Sequence, residues 1–241
     1  CDWSSDVCSS DLDGHGGYMN GSRYYGEDLP INTWYMKRFA GLSEDGLSLW
    51  YYTDKETNEE KTTTTYSTGD FYLCGDPNPD LYGGFGTSIT FHGFDLSTQF
   101  SYLVGGLTYD YGYAGMMGNP TATSVGNRWH KDVLKAWSPE NPSSTIPRWY
   151  FNDLNTTGSS DRFLIDGSYL NLQNIQVGYT LPDSWTSHLK IKNLRLYFVC
   201  DNVYYWSKRK GLDPRRSISG VGTSGKIAPF RTYSGGISLQ F

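Results

Sequence analysis

Four histidines, His15, His92, His130 and His188, are the residues best suited to bind a metal or shuttle a proton. None shares a ligand spacing with another His, Cys or acid. Cys74 and Cys200 stand far apart with no CxxC, so neither a zinc site nor a disulfide framework is indicated. Gly220-Val-Gly-Thr-Ser-Gly-Lys226 has the GxxxxGK spacing of a phosphate-cradling loop. Such a loop follows a buried strand and places Ser or Thr after the Lys to hold magnesium. Here Ile227 follows and Arg215-Arg216-Ser217 precedes, which reads as a flexible surface loop. Asp153, Asp161 and Asp166 could supply a hydrolase's carboxylate pair. Their Asn/Ser/Thr-rich setting reads instead as surface, and no GxSxG elbow is present. No catalytic residue, metal site or cofactor is expected. The remaining chemistry is aromatic: Trp129, Trp137, Trp149, Tyr150 and Tyr111 could stack on the apolar faces of a substrate such as a sugar. The plainer reading is that these rings pack a loop against itself or a partner.

The elements that would position these residues alternate with period two. In the last segment Tyr233, Gly235, Ile237, Leu239 and Phe241 share one face of an extended strand, and Ser234, Gly236, Ser238 and Gln240 share the other. A strand over 191–206 puts Leu194, Leu196, Phe198 and Cys200 opposite Arg195, Tyr197, Val199 and Asp201. A strand over 168–181 puts Ile175, Val177, Tyr179 and Leu181 opposite Asn174, Gln176, Gly178 and Thr180. Upstream, 85–92 and 94–104 form a hairpin turning near Gly93, with apolar faces Phe85/Ile89/Phe91 and Phe100/Tyr102/Val104. Five strands are thus expected. A smaller hairpin is expected from Leu47–Thr53 and Thr62–Ser67 around Lys55–Lys61. The connections between the five strands run tight, long, tight, long. That is the rule of outer-membrane barrels, with short periplasmic turns and long extracellular loops. The segment from Gly106 to Gly167, about 60 residues, is too long for an unstructured loop in a compact soluble domain.

The expected fold is all-β: an antiparallel up-and-down meander forming an open, curved segment of a large outer-membrane β-barrel with long extracellular loops. Charged residues are only 19% of the 241-residue chain and aromatics reach 16%, with 20 tyrosines and 28 glycines. That balance suits pleated surfaces with one face in lipid. Mean hydropathy is −0.53, and no apolar run approaches the ~18 residues of a spanning helix. Tyr179, Tyr204, Tyr205, Trp206 and Tyr233 lie near strand ends, where interfacial aromatic girdles form. No acid or base falls mid-strand on the apolar face of the three last strands, where Arg or Lys would cost about 2–4 kcal/mol. Residues 1–12, including Asp2-Trp3-Ser4-Ser5-Asp6-Val7-Cys8, read as the translation of a sequencing-adapter oligonucleotide and are set aside. Setting aside Asp2, Asp6 and Asp11 moves the formal charge from −5 to about −2, which gives no electrostatic footprint for nucleic acid.

Several segments carry a family resemblance. Ser168-Tyr-Leu-Asn-Leu-Gln-Asn-Ile-Gln-Val-Gly-Tyr-Thr-Leu-Pro182 resembles the "SYLrLkNltLgYtLP" signature of the SusC/RagA family of TonB-dependent transporters. Leu194-Arg-Leu-Tyr197 with Asp201-Asn202 resembles the family's "LRlY…qN", and Gly211-Leu-Asp-Pro214 its "G.DP". Arg231–Phe241 resembles the closing "RTyslGlnlsF". Gly75–Pro79, Gly83–Gly86 and Gly93–Leu96 resemble "Gn.nPd…GGfgtsl.ykGFDLs". Asn127-Arg-Trp-His130 with Ala136–Pro142 resembles "N.WhkDil.aWtPeN". The match runs in order from about Phe39 to Phe241.

The resemblance implies a roughly 22-stranded, plugged barrel in the outer membrane. Such a barrel imports an oligosaccharide or peptide, is driven by TonB and is capped by a SusD-like surface lipoprotein. It implies that residues 13–241 are the C-terminal part of that barrel. The plug domain and the TonB contact would lie in a missing N-terminal part. Phe241 would be the terminal signal read by the barrel-assembly machinery, and the outer face would meet outer-membrane lipid. On this reading the chain is not an enzyme. A secreted carbohydrate-binding β-sandwich is the alternative. It shares the alternation because its core face also excludes charge.

Overall fold

A computed structural model describes residues 17–122, 126, 128–156, 158–186, 191–209, 211–216, 219–221 and 229–241. Residues 1–12, His15, His188 and most of the Gly220–Lys226 loop lie outside the described residues. The chain divides into two compact units. The first comprises Cys1–Asn78, Gly106–Asp166 and Arg216–Gly225, and the second Pro79–Gly105, Gly167–Arg215 and Lys226–Phe241.

The strands in chain order are β1 (Tyr18–Asn20), β2 (Arg23–Tyr25), β3 (Thr33–Lys37), β4 (Phe39–Leu42), β5 (Ser48–Thr53), β6 (Glu60–Thr63) and β7 (Phe71–Leu73). They continue as β8 (Leu81–Phe91), β9 (Phe94–Val104), β10 (Leu107–Tyr109), β11 (Leu164–Asp166), β12 (Tyr169–Thr180), β13 (Asn193–Ser207) and β14 (Thr232–Gln240). Two short helices are α1 (Tyr111–Met117) and α2 (Asp183–Thr186).

The second unit is one antiparallel sheet of the five expected strands, in the order β14-β13-β12-β9-β8. Its hairpin turns on His92 and Gly93, with φ of 45° and 83°. Two successive positive φ values give the turn whose twist matches the flanking strands. A side chain at position 93 would also strike the Thr180 carbonyl, 2.6 Å away. Among the described residues β8 and β14 are paired on one side only, so the sheet is open. β8 begins at Leu81, four residues before the expected start. Gly83 and Gly84 thus belong to the strand, as Gly86 does. A Cβ on Gly83 would sit 2.9 Å from the Tyr102 hydroxyl.

The register aligns apolar side chains into rows on one face. Ile237, Leu196, Tyr179, Phe94 and Phe91 lie across the five strands, and beside them Gly235, Phe198, Val177, Leu96 and Ile89. Tyr233, Cys200, Ile175, Thr98 and Thr87 form the next row. Between Leu172 and Asn174 the register shifts against both neighbours. A bulge inserts one residue and reverses the alternation. Above it Leu172 and Leu170 join Tyr204 and Trp206 on the face that Ile175 and Val177 occupy below it. This face is not covered: Ile89 is 56% exposed, Phe198 49% and Ile237 66%. A β-sandwich hides such a face in a dry core, so the sandwich alternative is excluded.

The first unit contains a four-stranded sheet (β1-β2-β3-β7), a three-stranded sheet (β4-β5-β6) and the pair β10-β11. Its core is Trp34, Met36, Tyr109, Met117 and Phe163, flanked by Leu107, Tyr113, Ala114, Val133 and Ile146. The long segment after Val104 therefore contributes three of the five core residues. The expected small hairpin is β5-β6, with its second strand at Glu60–Thr63 rather than from Thr62 onward. Thr65 and Tyr66 instead lead into a single helical turn over Tyr66–Thr68.

Candidate functional site

Chemistry-bearing side chains gather in three places: the polar face of the five-stranded sheet, its aromatic ends, and the loop-built first unit.

On the polar face, Arg195 of β13 forks onto Asp95 of β9, with Nε 2.9 Å from Oδ1 and Nη2 2.5 Å from Oδ2. These strands are not neighbours. β12 runs between them, and the residue beneath the bridge is Gly178, paired to both Tyr197 and Asp95. A Cβ at 178 would lie 2.4 Å from the Asp95 carboxylate and 2.6 Å from the guanidinium. Glycine is therefore what lets the ion pair span three strands. Farther along, Asn174 donates to Asp201 (2.7 Å). Arg215 grips Asp213 through two nitrogens (2.7 and 2.8 Å) and donates to Asn171 (2.7 Å). Ser88, Ser97, Gln176, Val199 and Ser234 share the same face. Such a surface suits water. The bidentate Arg195–Asp95 pair holds its geometry across three strands.

The strand-end aromatics do not all share a face. Tyr204 and Trp206 stand on the apolar face, with rings 4.8 Å apart. Tyr205, between them, faces the other way and lies beneath the Arg215 guanidinium at 4.7 Å. At the opposite end Tyr179 packs on Phe94 at 4.3 Å. Tyr233 lies in the middle row, beside Cys200. Phe85 and Phe100 stack in parallel at 4.9 Å. Phe241 follows the end of β14 and is exposed.

In the first unit Trp129 and Trp149 are brought together edge to face at 5.5 Å, and both indole N–H groups donate to the Gly118 carbonyl. Tyr150 is exposed, with Arg148 5.4 Å from its ring. Tyr111 packs on Tyr109 at 4.4 Å. Trp137 is apart from these in its contacts. Its ring rests on Gly46, where a Cβ would come within 2.3 Å. Trp137 also borders a groove of about 400 Å³ with Phe39, Leu42, Pro142 and Thr145.

Three ionic groups, Lys37 and Arg23 buried and Asp161 half-buried, support this scaffold. The Lys37 ammonium donates to the carbonyls of Tyr66 (2.7 Å), Ser67 (3.1 Å) and Gly69 (2.6 Å). Arg23 lies 3.1 Å above the Trp34 ring, and burial lowers its pKa to about 10. Burial raises Asp161, which accepts from the Phe39 N–H at 2.8 Å. Burial, aided by Asp161, pushes the Cys74 thiol up to about 11, the opposite of what a nucleophile needs. Among the described residues no group of three or more His, Cys, Asp or Glu could hold a metal. Sequence reading placed Arg195 on the polar face but not its pairing with Asp95. The signal lay in Gly178, a glycine inside a strand, which marks a close approach.

No family model matches the chain. Against curated proteins it is 29% identical over 235 residues to "TonB-dependent receptor P3" of Formosa agariphila, covering 93% of this chain and 22% of that protein. It is 27% identical over 180 residues to "TonB-dependent receptor SusC" of Bacteroides thetaiotaomicron, covering 73% of this chain and 17% of that protein. The chain thus spans about a fifth of the length of these relatives. Among solved structures the RagAB peptide transporter superposes with a TM-score of 0.78 at 25% identity, over 95% of this chain and 25% of that one. The RagAB peptide importer in its open-open state gives 0.72 at 26% identity, with the same coverage. By sequence and by fold, this chain is homologous to a part of the TonB-dependent receptors of the SusC/RagA type and carries a segment of their barrel.

Proposed function

We propose that this chain forms part of the wall and loops of a TonB-dependent nutrient importer in an outer membrane. The observation that carries the reading is the five-stranded sheet with one uncovered apolar face and one ion-paired polar face. Strands of 9 to 15 residues are long enough to supply the ~9–11 residues that a tilted strand needs to cross a bilayer. The apolar rows meet lipid, and the Arg195–Asp95 face lines a wet bore. The chain itself performs no catalysis. It acts within a longer receptor whose remaining strands close the barrel and whose other parts contact TonB. A SusD-like lipoprotein covers the outer opening, and the cargo is an oligosaccharide or a peptide.

The test is uptake by cells carrying the full-length protein. A labelled oligosaccharide or peptide should accumulate while the inner membrane is energised, and accumulation should stop when an uncoupler is added. The protein should fractionate with outer membranes and co-purify with a lipoprotein. Recovery of the protein from the aqueous fraction without detergent would overturn the reading.

A further inference from the structure

We propose that Arg231 and the aromatic rings beside it bind the phosphate headgroup of a lipid in the outer leaflet. The proposal rests on the barrel-wall reading and adds to it a fixed place for one class of lipid. β13 outruns β14: their last pair is Asp201 with Thr232, while β13 continues against β12 as far as Ser207. Beside this overhang lies a hollow of about 430 Å³, bordered by Asn202, Tyr204, Trp206, Pro229 and Arg231. An unpaired strand edge is costly in hydrocarbon and is satisfied by water. The overhang therefore belongs at headgroup depth. The long connection from Lys208 to Ala228 leaves from this end of the sheet, which makes it the outer end.

Tyr204 and Trp206 stand on the apolar face of the overhang, their rings 4.8 Å apart and about half exposed. Arg231 precedes Tyr233 by two residues and donates to its hydroxyl, close to Cys200. The guanidinium thus lies on the apolar face as well. It is exposed, and no carboxylate is among the groups that act on its charge. Arg215, the other arginine at the hollow, is by contrast engaged by Asp213 and Asn171. An exposed cation beside girdle aromatics, with no acid to balance it, matches an anion carried by the membrane. The fork of a guanidinium fits two oxygens of a phosphate. Tyr204 and Trp206 supply the amphipathic rings that suit the boundary between headgroup and chain. The backbone that carries Arg231 is held before a lipid arrives. Asn202 donates to the Phe230 carbonyl (3.1 Å), and Pro229 restricts the chain just ahead of it.

The test uses the full-length protein in a neutral detergent, with bound lipid counted by native mass spectrometry. The titrants are phosphatidic acid and a diacylglycerol with the same chains, which differ only in the phosphate. Phosphatidic acid should bind saturably, and the diacylglycerol should not displace it. Arg231→Gln should weaken phosphatidic acid about tenfold, the loss of one charge-assisted contact, and Arg231→Lys should restore part of the affinity. Lys192→Gln removes an exposed cation at the opposite end of β13 and should leave the affinity unchanged. Inorganic phosphate at millimolar concentration should displace little of the bound lipid, because it has no chains to meet the rings. Equal weakening by Arg231→Gln and Lys192→Gln would mean general charge attraction and overturn the proposal. So would an affinity untouched by Arg231→Gln, equal binding of the diacylglycerol, or full displacement by inorganic phosphate. Each of these failures, in protein that still inserts in membranes, leaves the importer reading standing.

Discussion

At the scale of single residues, two positions decide the most. Gly178 is required because the Arg195–Asp95 bridge passes over it. Gly178→Ala should push the bridge apart and cost about 1–3 kcal/mol. The measurement is the temperature at which the detergent-solubilised protein loses its folded electrophoretic mobility. An unchanged temperature would show that the bridge contributes nothing. Asp161 is held above the ordinary carboxylate value, because burial outweighs the Phe39 N–H bond and the pull of Arg38. A raised folded value means that its stabilising contribution is present at low pH and is lost as pH rises through that value. By neutral pH the buried charge opposes folding. Asp161→Asn keeps an acceptor for the Phe39 N–H and removes the charge. Its melting temperature at pH 7 should equal or exceed the parent's, with a flatter profile between pH 4 and pH 7. A variant less stable at pH 7 yet unchanged at pH 4 would contradict the account.

At the scale of elements, the sheet predicts opposite outcomes for adjacent positions. Val177 sits mid-row on the apolar face of β12, and Gln176 sits on the polar face. Val177→Arg should cost about 2–4 kcal/mol and sharply reduce folding into lipid vesicles, whereas Gln176→Arg should fold nearly as well as the parent. Equal yields would mean that the two faces see the same solvent. The five strands were legible in the sequence because a half-wet strand repeats every two residues, as Leu194, Leu196 and Phe198 show. The phase reversal at Leu172–Asn174 was not, since a bulge leaves Leu170 and Leu172 looking like members of the wrong face. The start of β8 was also not legible: the strand was expected from Phe85 and begins at Leu81. Gly83 inside it is explained by the Tyr102 hydroxyl on the neighbouring strand, close to where a Cβ would lie. The first unit was the least legible. Its core joins Trp34 and Met36 to Tyr109, Met117 and Phe163, contacts far apart in sequence between short strands and short helical turns. Of the loop aromatics, the sequence named the residues but not which of them pack on each other. That depends on contacts such as the shared Gly118 carbonyl.

At the scale of the molecule, an open sheet in lipid leaves the outer edges of β8 and β14 with unpaired backbone groups, each costing several kcal/mol. Expressed alone, the 241-residue chain should aggregate or fail to insert. A monodisperse, water-soluble monomer with strong β signal would contradict the barrel account. The most direct measurement is the accessibility of nitroxide labels placed singly along β12 in the full-length protein in lipid vesicles. Labels at 175, 177 and 179 should be relaxed by oxygen dissolved in lipid, and labels at 174, 176 and 180 by an aqueous nickel chelate. Beyond the bulge the pattern should invert, with 170 and 172 in lipid and 171 in water. A profile without alternation, or one in which 175, 177 and 179 are shielded from both reagents, would contradict a wall with lipid on one side and water on the other.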